Sequence, residues 1–177
     1  MLLHPYSPTW VDDYKAITSA ILSHIDCHDL QCHHIGSTAI AGLAAKPIID
    51  IDLSYSLDAS FSIIKEGLES IGYKHIGNLD IVGREVFKRV QGEHHLVLDS
   101  IVHHLYLCHI DNKELQRHLA FRNYLRKNQE AKAEYEKLKY KIAELTDQDK
   151  TEYSILKETM ARQFIEDILE KSHSAEQ

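Results

Sequence analysis

The run Pro47-Ile48-Ile49-Asp50-Ile51-Asp52-Leu53 constrains this chain more than any other segment. Its β-branched apolar residues predict a buried strand. Asp50 and Asp52 are two positions apart, so their carboxylates project from one face, about 7 Å apart at the Cα level. Two acids on one face of an Ile/Leu strand are costly to bury unless something cationic meets them. Mg²⁺ fits that role, because it is held by one or two carboxylates plus substrate phosphates and water. Structural salt bridges to nearby lysines are the alternative. Upstream, Gln31 to Ile35 predicts a short strand running into Gly36-Ser37 and a brief helical stretch around 38–43. Gly36 lets the backbone approach a ligand closely, and Ser37 opens a turn whose free N–H groups can receive phosphate oxygens.

Around this segment the pattern is helix first, then mixed strands and helices, then an all-helical third. Ser7-Pro8-Thr9 opens a helix through about Ile25. Leu57-Asp58 predicts a staple and cap for a helix stopped by Gly72. Residues 73–76, 84–90 and parts of 95–108 predict strands, with turns at Gly77-Asn78 and Gln91-Gly92. Asp111 with Glu114 fits a capping box, Asn128 a second cap, and a third helix starts near Gln148. The expected architecture is α/β (α+β), a mixed central sheet with flanking helices. Residues 1–110 form the sheet part, 111–171 a helical region packed on it as one unit, and 172–177 a small, polar, flexible tail.

Bulk properties narrow the function. Of 177 residues, 44% are hydrophobic and 27% charged, as in ordinary globular proteins. No apolar run approaches the ~20 residues needed to span a bilayer. The N-terminus lacks a basic region followed by an apolar core, which points to a cytoplasmic protein. Its formal net charge of −7 argues against polynucleotide binding, which rests on neutralising many phosphates. A single nucleotide remains compatible. Three cysteines (Cys27, Cys32, Cys108) read as reduced thiols. Thirteen histidines include the pairs His33-His34, His94-His95 and His103-His104, whose members point to opposite faces of a strand. The segment from His24 to His34 invites a zinc reading but matches no established ligand spacing.

The combination of Gly36-Ser37, a dozen intervening residues and Asp50-Ile51-Asp52 resembles the signature of the polymerase-β-type nucleotidyltransferase superfamily. More closely, His34-Ile35-Gly36-Ser37-Thr38-Ala39 with Gly42-Leu43-Ala44-Ala45-Lys46-Pro47-Ile48-Ile49-Asp50-Ile51 resembles the GrpB family. The likeness continues through His103-His104-Leu105 and Arg117 to Arg126, Tyr135 with Leu138-Lys139, and Tyr153 with Lys157. It implies a nucleotidyltransferase-like fold and a Mg²⁺-dependent transfer of a nucleotidyl group from a nucleoside triphosphate to an unidentified small-molecule or protein hydroxyl. Asp50 and Asp52 would hold the metal, and Gly36 and Ser37 the β/γ-phosphates. The superfamily's third acid is replaced by a histidine motif, which leaves His104 as candidate base and Asp99 and Glu85 as weaker substitutes. The last histidine of that motif is Tyr106 here. Lys46, Arg122, Arg126, Lys139 and Lys157 are the candidate phosphate cations, Arg122 and Arg126 sharing one helix face. The rival reading is a nucleotide-binding sensor or partner without turnover, connected to coenzyme A metabolism through the family's fusions.

Overall fold

A computed structural model describes residues 1–90 and 95–174, with side chains described through Lys171. The Gln91-Gly92 turn, His94 and the tail at 175–177 lie outside the described residues. Five strands form one mixed sheet: β1 (Gln31–Ile35), β2 (Ile49–Tyr55), β3 (Tyr73–His75), β4 (Arg84–Arg89) and β5 (His103–His109). Their order is β1-β2-β5-β4-β3, antiparallel except for the central β2–β5 pair. This is the expected mixed α/β architecture.

Alternation along the strands divides the sheet into two faces. On one, Ile49, Ile51, Leu53, Phe87, Leu105 and Leu107 join a single apolar core. Three helices cover it: α1 (Thr9–Leu22) through Trp10, Ile17 and Ile21, α2 (Ser60–Ser70) through Ile64 and Leu68, and the short α3 (Leu96–Ser100) through Leu98. The other face carries Asp50, Asp52, Ser54, His104, Tyr106, Cys108 and Arg84, brought side by side by the register Asp50↔His104, Asp52↔Tyr106 and Arg84↔Cys108. Here lie the C-terminal helices α4 (Lys113–Lys127), α5 (Gln129–Leu145), α6 (Lys150–Met160) and α7 (Arg162–Ser174). They share their own core of Leu125, Tyr135, Ala161 and Ile168, into which Ile40 and Leu43 insert from the loop before β2.

Several local expectations change. The first helix ends at Leu22, although Ile25 is still buried in the core. Asp58 caps nothing; Asp29 takes over, accepting from the Ser56 and Leu57 amides and the Ser56 and Ser60 hydroxyls. A tertiary acceptor thus displaces the local one, and Leu57 stays exposed. Residues 96–100 are helical, capped by the His95 ring accepting from the Leu98 amide, while Asp99 accepts from the His95 amide at 2.6 Å. Asn112, one residue after the expected Asp111, caps α4 through the Glu114 and Leu115 amides. Asn128 precedes α5 but turns its amide group back to the Tyr124 carbonyl. The helix expected to start near Gln148 is α6, which begins at Lys150 and is capped by Asp149.

Candidate functional site

The turn after β1 is fixed by backbone geometry. Gly36 has φ +71° and ψ −172°, a region almost confined to glycine. A Cβ at this position would lie 2.3 Å from Asp50 Oδ2, so glycine is also what lets the turn close on that carboxylate. Thr38 pins the turn from below, donating to the Ile48 carbonyl at 3.3 Å and meeting His34 Nε2 at 3.1 Å. The expected helical stretch at 38–43 shrinks to one 3₁₀ turn, Ser37–Ala39.

The two acids sit side by side in different surroundings. Asp50 is partly exposed, and its Oδ1 lies 2.9 Å from His104 Nδ1. Asp52 is 1% exposed, with Oδ2 2.7 Å from His118 Nδ1 of α4. An ionised carboxylate only accepts, so each histidine carries its proton on Nδ1 and keeps Nε2 as its second site. Asp52 Oδ1 is buried with no hydrogen-bond partner. An orphaned anionic oxygen of this kind calls for a cation. Among the described residues no three His, Cys, Asp or Glu side chains converge to hold a metal ion. The donor set here is therefore two carboxylates, which suits Mg²⁺ completing its shell from phosphate oxygens and water.

Cations approach from the helical region. Lys139 of α5 is 1% exposed; its ammonium donates to the Ala44 carbonyl and lies 3.4 Å from Ser37 Oγ. Burial pushes its pKa down to about 7, helped by the neighbouring Lys157. Lys157 of α6 is held above the ordinary lysine value by Tyr135, and further by Tyr153 and Asp50. Lys46 donates to Ser154 Oγ at 2.9 Å and lies over the Tyr153 ring; burial and then Lys157 lower its pKa. A cavity of about 170 Å³ is lined by Ser37, Lys46, Asp50, His104, Lys139 and Lys157. It adjoins a cleft of about 790 Å³ that shares Ser37, Asp50 and Lys157 and extends to Arg84, Tyr106, Arg117 and His118.

Asp52 is buried on the same strand face without lining either cavity, and Gly36, Ser37, Asp50, His104, Lys46, Lys139 and Lys157 are gathered around the two adjoining spaces. Arg122 and Arg126 are not. Arg122 donates to the His34 carbonyl at 2.9 Å, and Arg126 to the Ala39 carbonyl at 2.7 and 3.0 Å. Neither lines the cavities; their donor forks are engaged by backbone carbonyls of β1 and of the 3₁₀ turn. They also help burial to lower the His34 pKa to about 4. The proposed stand-ins for a third acid lie elsewhere: Glu85 pairs with His75 at 2.6 Å, and Asp99 with Arg89 at 2.7 Å. His103 turns to Tyr73, at 2.6 Å, on the face opposite His104. Cys27 donates to Asp29, and His33 meets Ser54 at 2.8 Å, so the His24–His34 segment has other partners.

His118 and Tyr135 are among the cleft residues that sequence reasoning left without a role. Helical spacing marks His118 only as a half-buried position on α4, and nothing local links it to a strand 66 residues earlier.

A family model described as GrpB protein matches residues 1–171. The glutamate-rich protein GrpB of Alkalihalophilus pseudofirmus is 32% identical over 173 residues, covering 96% of this chain and 94% of the relative. The crystal structure of the conserved protein GrpB from Enterococcus faecalis superposes with a TM-score of 0.77 and 30% identity over 96% of each chain. Cid1 in complex with its short product ApU aligns at TM-score 0.48 and 13% identity, over 79% of this chain and 42% of its own, a likeness too slight to say more.

Proposed function

Because the chain belongs to the GrpB family, whose model spans residues 1–171, we propose that its cleft transfers a nucleotidyl group from a nucleoside triphosphate to an acceptor hydroxyl, with Mg²⁺. The observation that carries this reading is the orphaned, buried Oδ1 of Asp52, two positions along β2 from the Asp50 carboxylate on which the Gly36 turn closes. Two carboxylates alone would repel a triphosphate. The cleft answers with Lys139 against Ser37 and Lys157 facing Asp50, which supports phosphates at the Ser37 end. Mg²⁺, when bound by Asp50 and Asp52, supplies charge stabilisation at the transferred phosphorus.

The protein's own groups account for the remaining steps. Ser37 and the turn amides orient the β/γ-phosphates, and Lys139 and Lys157 meet the charge that grows on departing pyrophosphate. The acceptor oxygen bonds to the α-phosphorus as the bond to the bridging oxygen breaks. Its proton passes to His104 Nε2, since Nδ1 is held by Asp50. Isothermal titration with each common nucleoside triphosphate, with and without Mg²⁺, tests the binding. Pyrophosphate release in the presence of hydroxyl acceptors tests the transfer.

A second reading has its own support. Tyr106 stands opposite Asp52 on β5, and Glu85 and Asp99 are engaged elsewhere. A cleft that binds Mg²⁺ and nucleotide without turnover, as a sensor or a partner in coenzyme A metabolism, would give the titration signal and no pyrophosphate.

A further inference from the structure

The large cleft has two ends, and only one of them is used by the phosphate cradle. Strand order places β1, with the Gly36-Ser37 turn, at one side of the acids, and β5 and β4 at the other. In-line displacement brings the attacking hydroxyl from the side opposite the leaving pyrophosphate. With pyrophosphate at Ser37 and Lys139, the acceptor approaches over β5 and β4. Arg84 stands there, on β4 opposite Cys108 and lining the cleft.

Arg84 differs from the other cations of that cleft. Arg117 is met by Glu114 at 3.5 Å, Lys157 hydrogen-bonds with Tyr135, and Arg162 is exposed to solvent. The Arg84 guanidinium lies over the Tyr106 ring, 4.6 Å from its centroid. Stacking occupies the face of the group and leaves its in-plane N–H donors available. Its Nε is buried without a hydrogen-bond partner, and among the described residues no carboxylate pairs with it. A buried donor on a charged group is costly to leave unmade. A planar fork held flat by an aromatic ring is also prepared for two parallel bonds to an oxyanion.

We propose that Arg84 anchors the acceptor, and that the hydroxyl substrate carries a terminal oxyanion group, phosphate or carboxylate, which this guanidinium grips. The assignment of the anion to an acceptor rests on the nucleotidyl-transfer reading, whereas the anion site itself can be measured without it.

Calorimetric titration of the full chain with glycerol 3-phosphate, glycerate and glycerol, with and without Mg²⁺·ATP, tests the proposal. One or both anions bind and glycerol does not; which anion binds separates phosphate from carboxylate. Arg84→Gln weakens that binding about tenfold or more, as expected for lost charge-assisted hydrogen bonds. Mg²⁺·ATP affinity stays within about twofold of the unsubstituted chain, because Arg84 lies beyond the acids from the cradle. If circular dichroism shows Arg84→Gln unfolded, Arg84→Lys takes its place: it keeps the charge, loses the planar fork, and is expected to bind several-fold more weakly. Absence of anion binding to the unsubstituted chain, or equal binding by the folded variant, overturns the proposal. Anion binding through Arg84 without any Mg²⁺·ATP binding would keep the anion site and remove the transfer reading.

Discussion

Ile49, Ile51 and Leu53 lie under α1 and α2, while Asp50, from the same strand, lines the cleft beneath the C-terminal helices and Asp52 is buried on that same face against His118. On the first face the contacts beneath α1 and α2 are mainly apolar burial, which is nondirectional and tolerant of sequence within a volume limit. On the second face the contacts are directed: Asp50 to His104, Asp52 to His118, Lys139 to Ser37. One face supplies the stability that lets the other keep an orphaned oxygen and a buried lysine. A strand that buried carboxylates on both faces would have nothing to offset their desolvation.

This division can be broken experimentally, and the largest effect is expected on the apolar face. Ile51 is fully buried, so Ile51→Ala should lower stability by about 2–5 kcal/mol in urea unfolding. Mg²⁺·nucleotide affinity, measured where the variant is still folded, should change little. A large affinity loss at full folding would show that the two faces are not separable.

On the other face the expectation is reversed. Asp52→Asn removes a buried charge whose second oxygen is unpaired, so the urea midpoint should hold while Mg²⁺-dependent nucleotide affinity falls at least about 10-fold. Calorimetry reads the second quantity, and unchanged affinity would reduce the acid pair to structural residues.

Gly36→Ala couples the two outcomes. The alanine meets a backbone region that costs about 1–3 kcal/mol, and its Cβ would collide with Asp50 Oδ2. Both the melting temperature and the Mg²⁺-dependent affinity should drop. A variant that keeps full affinity would mean that Asp50 can move without consequence.

The smallest effect is a pH slope. Burial holds the folded Lys139 pKa at about 7, against an ordinary value of 10.5. Between those values the unfolded chain binds the extra proton, so this group makes stability rise with pH across that window. Below pH 7 both states are charged and the full desolvation cost is present. Lys139→Met should flatten the slope of unfolding free energy between pH 7 and 10, measured by urea titration at each pH. An unchanged slope would place the buried lysine's proton elsewhere in the Lys46, Lys139 and Lys157 group.

Much of this was legible in the chain itself. The alternation in Ile49-Asp50-Ile51-Asp52-Leu53 fixes which residues share a face, because a strand's side chains can only alternate. The same rule separates His103 from His104, whose partners prove to be Tyr73 and Asp50. The Gly36-Ser37 turn is local too, since its geometry admits little besides glycine. Caps were less legible. Asp29 replaces Asp58, and Asn112 replaces Asp111, because a cap goes to whichever acceptor the folded chain brings nearest, and sequence neighbourhood does not measure that.

Tertiary structure alone decided what surrounds the acids. Arg122 and Arg126 have the right spacing and charge for phosphates, yet they end on the His34 and Ala39 carbonyls. Lys139 and Lys157 carry no stronger local signal, and they reach Ser37 and the neighbourhood of Asp50. His118 meets Asp52 across 66 residues of chain. Strand alternation and turn geometry are properties of a few consecutive residues, so the sequence determines them directly. Which long cationic side chain enters the cleft depends on how the helices α4 to α7 pack. That packing is set by apolar burial among residues such as Leu125, Tyr135 and Ile168, and burial does not encode where a lysine's ammonium will point.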